Sequence, residues 1–176
     1  MKTSSIDKRE SFSGLLMRVP QIVKLHLKRS PVAVSEWLVW LSDAEDLLQH
    51  YGMPECAQIA GLRASLASNE KQSRQEKREA ALATVNSAQD IIYNIYTKAN
   101  INVENAYTLF RQIIVPMRTA GIINIDGIID LTGYVNDLLR QMLANEQLSA
   151  SVNGAIASVG KADVIRIIAE LITEEL

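Results

Sequence analysis

Cysteine is almost absent from this chain of 176 residues, which contains only Cys56. A single cysteine cannot form an internal disulfide, and it provides no cluster of thiolates for a metal ion. A lone thiol is typical of proteins in a reducing compartment, so we expect the protein in the cytoplasm. A chain of this length can bury roughly two thirds of its unfolded surface, which makes cross-links unnecessary for stability.

Aromatic residues and long apolar runs are also scarce. Aromatic residues make up 5% of the chain and hydrophobic residues 48%, with Leu, Ile and Ala dominating, a mixture that favours helices over sheets. About eighteen consecutive apolar residues would be needed to span a membrane, and no stretch approaches that length. The apolar run at 15–17 is broken by Arg18, so it is too short for the core of a signal peptide.

Apolar residues at helical spacing are the main pattern in the chain. The longest regular stretch runs from Ser73 to Asn100, and it opens with a capping box formed by Ser73 and Glu76. Apolar residues then recur every three or four positions, at Ala81, Val85, Ala88, Ile92, Ile95 and Ala99. This stretch predicts a long central helix whose charged first turns, around Arg74 and Arg78, are solvated.

Similar stripes predict six further helices, at 11–30, 31–51, 54–68, 103–120, 127–147 and 161–176. Residues 69–72 are interpreted as a hinge, with one continuous helix of more than about forty residues as the alternative. Residues 100–102 are interpreted as a break, with Asn102 capping the next helix. Gly52 and Gly121 are expected to end helices, and 147–160 to form a loop or a short, weak helix. Trp40 lies off the centre of its stripe and is expected to be partly exposed.

These segments predict an all-α fold, a multi-helix bundle of about seven helices with antiparallel neighbours around the long central helix. We expect a single helical domain over 1–176 whose residues 1–10 form a flexible arm, with a subdivision into 11–100 and 101–176 as the alternative. The interior is predicted to contain Leu41, Leu48, Val85, Ile92, Ile95, Phe110, Leu138 and Ile168.

Positive charge is concentrated at the start of the chain. Residues 1–31 contain seven Lys and Arg against two acidic residues, a charge of plus five, whereas the whole chain is at minus two, which leaves minus seven for the rest. One interpretation is that residues 1–31 form a solvated basic face or are attracted to the acidic residues Glu170, Glu174 and Glu175. The alternative is an anionic partner, for which the candidate contact residues are Arg18, Lys24, Lys28 and Arg29.

The motifs that could carry chemistry do not fit known sites. Asp46, His50 and Cys56 lie close in sequence, but a helical di-iron site needs Glu three residues before His, and Leu47 stands there. Residues 124–130 resemble the middle of a calcium loop without its first carboxylate or its final Glu. Gly160 and Lys161 do not belong to a phosphate-binding loop. The sequence therefore predicts no catalytic, metal-binding or cofactor-binding residue.

Three functional hypotheses follow. The favoured one is a non-enzymatic helical bundle that acts through protein–protein interaction, with another protein or a second copy of itself as the partner. The second is a binder of nucleic acid or an anionic surface through residues 1–31, which the negative charge of the remaining chain disfavours. An enzyme with an unrecognised site is the least favoured.

Overall fold

A computed structural model of the protein describes residues 4–68, 73–124 and 127–174. The described residues form seven α-helices and contain no β-strand, which confirms the predicted all-α fold. The predicted hinge at 69–72 lies outside the described residues. The helices are α1 (Ser5–Leu27), α2 (Ala33–His50), α3 (Cys56–Ala67), α4 (Arg74–Thr119), α5 (Leu131–Ala144), α6 (Ser149–Val159) and α7 (Lys161–Thr173).

The described residues group into two compact units. The N-terminal unit comprises residues 8–97, and the C-terminal unit comprises 98–174 together with 4–7. Helices α1 and α4 each contribute residues to both units, whereas the other helices belong to one unit only.

Helix α4 is the long helix that the sequence predicts, and it is longer than expected. Its capping box is present: the Ser73 amide donates to Glu76 Oε2 at 2.7 Å, and the Glu76 amide donates to Ser73 Oγ at 3.3 Å. The helix then runs for 46 residues, so the predicted break at 100–102 and the cap at Asn102 are wrong. The reason is that the buried stripe continues at the same spacing, through Ala99, Val103, Ala106, Phe110 and Ile114.

The core of the N-terminal unit is built from one stripe of each of its helices, and α2 packs closely on α3. Trp40 is fully buried, contrary to the prediction, because its indole Nε1 donates to the backbone carbonyl of Leu15 at 2.9 Å and so ties α2 to α1. Its ring meets Trp37 edge to face, with centroids 6.1 Å apart. The buried set includes Phe12, Leu15, Val19, Ile22, Leu41, Leu48, Ile59, Val85, Ile92 and Ile95.

The core of the C-terminal unit is formed by the second half of α4 with α5, α6 and α7, which pack on one another. Residues 149–159, predicted as a loop or a weak helix, form α6. Its small side chains allow Val152, Ala155 and Val159 to pack into the core. All eight residues predicted as interior, in both units, are buried.

Residues 5–10, which the sequence predicts to belong to a flexible arm, form the first turns of α1, and residues 1–3 of that arm lie outside the described residues. Helix α1 begins at Ser5, and Ile6 is 1% exposed in the core of the C-terminal unit. The buried Asp163 of α7 holds this first turn, since its carboxylate accepts from Ser4 Oγ at 2.6 Å, the Ser5 amide at 2.5 Å and the Ile6 amide at 3.2 Å. A carboxylate supplied by another helix therefore satisfies amides that a helix start leaves free.

The ends of the helices agree with the glycine signals, whereas α2 begins later than the predicted start at residue 31. Gly52 and Gly121 have φ values of 62° and 70° just beyond α2 and α4, as predicted. Ser30 and Pro31 do not start α2, which begins at Ala33 after the turn at 31–32. No helix in the described part of the chain combines the length and the apolar character needed to cross a bilayer.

Candidate functional site

A basic cleft lies within the N-terminal unit, between the end of α1 and the start of α4. It has a volume of about 370 Å³, within the range of about 300–1,000 Å³ that is usual for ligand sites. Six of its seven lining residues have polar side chains. The residues are His26, Arg29, Arg74, Gln75, Arg78, Glu79 and Leu82.

Helical periodicity explains why these polar residues meet. On α1 the buried stripe of Phe12, Leu15, Val19 and Ile22 reaches His26 after one more turn, and His26 is only 4% exposed. On α4 the stripe extends backwards from Ala81 to Arg78 and Arg74 at spacings of three and four. Both helices therefore continue their core-facing stripes with basic residues, and these line the cleft.

The turn that ends α1 places Arg29 at the cleft. The Arg29 amide donates to the carbonyl of His26 at 3.0 Å, and the Ser30 amide donates to that of Leu25 at 3.0 Å, the two bonds of a Schellman motif. This motif needs a left-handed residue at the position of Arg29, whose φ is 56°. Glycine usually occupies such a position, because side chains disfavour it.

Arg78 connects the two helices across the cleft. Its Nη2 donates to the backbone carbonyl of His26, in the last turn of α1. The last carbonyls of a helix carry partial negative charge, so a guanidinium is stabilised there. The start of α4 is thereby linked to the end of α1.

Two buried nitrogens at the cleft have no hydrogen-bond partner among the described residues. They are His26 Nδ1 and Arg78 Nε. Burial lowers the pKa of His26 below its usual value, and the positive charge of Arg78 lowers it further. His26 is therefore neutral near pH 7, when one ring nitrogen carries a proton and the other is an acceptor. Buried donors normally have partners, so two unpartnered nitrogens in one cleft indicate a place for an acceptor.

The charges around the cleft do not balance. Three guanidiniums, those of Arg29, Arg74 and Arg78, face one carboxylate, that of Glu79, which leaves plus two when His26 is neutral. Glu79 also accepts a hydrogen bond from Gln75 Nε2 at 3.1 Å. The lining thus provides a compact, positively charged site with donors in excess of acceptors, which suits an anion.

The four residues predicted as a contact set do not come together in the cleft. Arg29 lines it, whereas Lys24 and Lys28 are exposed and Arg18 forms an ion pair with Asp43 at 2.5 Å. Sequence reasoning missed the contribution of His26, Arg74 and Arg78. Their spacing from the apolar stripes is the available signal: His26 lies four residues after Ile22, Arg78 lies three before Ala81, and Arg74 lies four before Arg78.

Two residues from the other motifs weighed in the sequence make local hydrogen bonds, and residues 125–126 of the segment 124–130 lie outside the described residues. The Cys56 thiol donates to the backbone carbonyl of Glu45 at 3.6 Å, and Asp130 accepts from the Gly133 amide at 2.9 Å as the N-cap of α5. No group of three or more His, Cys, Asp or Glu in the described residues could hold a metal ion.

The acidic residues near the end of the chain have partners within the C-terminal unit. Glu170 accepts from Arg166 Nε at 3.0 Å, and Glu174 pairs with Arg111 at 3.3 Å.

Comparison with known proteins identifies no relative: no protein-family model, no curated protein and no solved structure matches the chain. The function is therefore argued from the cleft itself.

Proposed function

We propose that the protein is a non-enzymatic helical bundle that acts through protein–protein interaction, and that the basic cleft between α1 and α4 receives an anionic group of the partner. The observation that carries the proposal is the charge of the cleft, in which three guanidiniums face one carboxylate. Arginine is well suited to such contacts, because its planar fork binds carboxylate or phosphate through two hydrogen bonds.

The distribution of charge favours a discrete anionic group over a long nucleic acid. A nucleic acid gains affinity by neutralising many phosphates along its length. Here three guanidiniums line one small cleft, Lys24 and Lys28 are exposed near it, and Arg18 is already paired with Asp43. The rest of the chain beyond residue 31 has a charge of minus seven against plus five before it, for a total of minus two, and so would repel an extended polyanion.

The proposal can be tested with two labelled probes of equal charge, in low salt, by fluorescence anisotropy. One is a short peptide that contains glutamate and phosphoserine, and the other is a single-stranded oligonucleotide. We expect the peptide to bind more tightly. We also expect the double variant Arg29→Glu, Arg74→Glu to lose most of the peptide binding, because it changes the cleft from plus two to minus two.

The matched control is Lys24→Glu, Lys28→Glu, which makes the same change in charge at exposed positions that do not line the cleft. It should weaken peptide binding far less than the cleft variant does. Equal losses in the two variants, or tighter binding of the oligonucleotide, would contradict the proposal. Light scattering over a range of concentrations shows whether the partner is a second copy, since the mass would then rise with concentration.

A further inference from the structure

We propose that the anionic group received by the cleft is a phosphate dianion carried by a side chain of the partner, bound through His26 and Arg78. This inference rests on the proposed function and makes it more specific. It depends on the donors and on the charge of the cleft, which together distinguish a phosphate from a carboxylate.

The two nitrogens without hydrogen-bond partners indicate which acceptor groups the bound anion must contain. Arg78 uses Nη2 to hold the His26 carbonyl, and its Nε has no acceptor among the described residues. His26 Nδ1 is the second buried nitrogen without a partner, and it can donate when it carries the proton of the neutral ring. Arg29 and Arg74 line the same cleft and add further donors. The occupant must therefore offer several acceptor oxygens at one point.

The charge of the cleft matches that of a phosphate monoester. The net charge of the lining is plus two, from three guanidiniums and one carboxylate. A phosphorylated side chain carries a charge of about −1.5 to −2 at pH 7 and has three acceptor oxygens, whereas a carboxylate has one charge and two oxygens. A phosphate thus balances the cleft, and a carboxylate would leave positive charge uncompensated.

Binding requires a movement of Arg78. His26 Nδ1 and Arg78 Nε have almost no solvent-accessible surface, although both residues line the cleft. A phosphate oxygen reaches these two nitrogens when the guanidinium turns towards the ligand while Nη2 retains its hydrogen bond to the His26 carbonyl at the end of α1. Because the positive charge of Arg78 contributes to the low pKa of His26, a bound dianion should raise that pKa again.

The first experiment compares three probes by isothermal titration calorimetry. They are a glycine-flanked phosphoserine peptide, the same peptide with glutamate at that position, and inorganic phosphate. We expect the phosphopeptide to bind about tenfold more tightly than the glutamate peptide, since charge-assisted bonds to a dianion are stronger. Inorganic phosphate should bind more weakly than the phosphopeptide, because it lacks the contacts of the peptide.

Two pairs of variants test the assigned donors. Arg78→Lys keeps the charge but removes Nε, so the affinity for the phosphopeptide should fall about tenfold. Arg140→Lys makes the same substitution at an exposed position outside the cleft and should change the affinity by less than about threefold. His26→Asn retains a donor near the position of Nδ1 and should bind more tightly than His26→Leu, which has none. In the wild type, the imidazole ¹⁵N shifts should change on binding.

The outcomes separate this inference from the proposed function. If no anionic peptide binds the wild type in low salt, the proposed function itself is wrong. If the phosphopeptide and the glutamate peptide bind equally, and Arg78→Lys behaves as Arg140→Lys does, the phosphate assignment is wrong and the proposed function stands. If inorganic phosphate binds as tightly as the phosphopeptide, the occupant is free phosphate, and the assignment to a partner's side chain is overturned.

Discussion

Arg29 has a left-handed backbone conformation that glycine adopts more easily. Its φ is 56° in the turn after α1, a conformation that costs backbone energy for a residue with a side chain. This conformation places the Arg29 side chain at the cleft. We expect Arg29→Gly to raise the free energy of unfolding by about 0.5–1 kcal/mol, measured by urea denaturation, while weakening anion binding. Arg29→Ala is the control, since alanine loses the charge but keeps the strain. Equal stability of the two variants would contradict this explanation.

His26 makes stability depend on pH. Burial, and then the positive charge of Arg78, lower its pKa in the folded protein, while the cleft also brings Arg29, Arg74 and Glu79 near it. The unfolded chain, with a His pKa of about 6.5, then binds more protons than the folded one just below that pH. Stability should therefore be full above about pH 6.5 and fall as the pH drops towards the lower, folded pKa.

The measurement is chemical denaturation of the wild type and of His26→Asn over a range of pH. Because asparagine does not titrate, the difference in unfolding free energy between the two proteins should be constant above about pH 6.5. Below that pH the unfolding free energy of the wild type should fall relative to that of His26→Asn. A difference that stays constant down to acid pH would show that the burial of His26 does not disfavour its charged form.

At the scale of the helices, Asn102 distinguishes one long α4 from two helices. An N-cap asparagine stabilises a helix start, so replacing it with alanine would cost about 1 kcal/mol if a helix began there. In the interior of a continuous helix the same change should instead gain about 0.5 kcal/mol, because alanine is the better helix former. We expect Asn102→Ala to raise the midpoint of urea unfolding. A lower midpoint would favour the break.

Periodicity predicts the location of most helices and many of their buried residues. Leu48, Ile92, Phe110 and Ile168 are buried because apolar stripes with helical spacing have few other ways to avoid water. Local signals such as helix caps predict the helix ends poorly where the packing of the core opposes them. An asparagine cap is worth about 1 kcal/mol, and the burial of the continuing stripe through Val103 outweighs that preference at 100–102.

Only part of the cleft could be predicted from the sequence. Positive charge near the end of α1 is evident from the sequence, and Arg29 was a candidate on that basis. The pairing of the α1 end with the α4 start depends on tertiary packing between segments some 50 residues apart, as in the bond from Arg78 to the His26 carbonyl, which spans 52 residues. No local pattern contains that information.

For the whole molecule, the small extent of the positive site limits how strongly salt can affect binding. Three guanidiniums line the cleft. For a single strand, the slope of log K against log salt is about −0.7 per phosphate neutralised, which gives about −2 for three contacts. We expect the oligonucleotide to show a slope no steeper than this in anisotropy measurements between low and moderate salt. A slope several times steeper would indicate a larger footprint and would favour nucleic acid as the partner.

The carboxylate of Asp163 accepts a hydrogen bond from the Ser5 amide, which lies 158 residues earlier in the chain. Since a ribosome releases a polypeptide from its amino end, the opening turn of α1 emerges long before the carboxylate that completes it has been translated. During synthesis, therefore, the Ser5 amide gains its carboxylate partner only after the segment of α7 that contains Asp163 has left the ribosome.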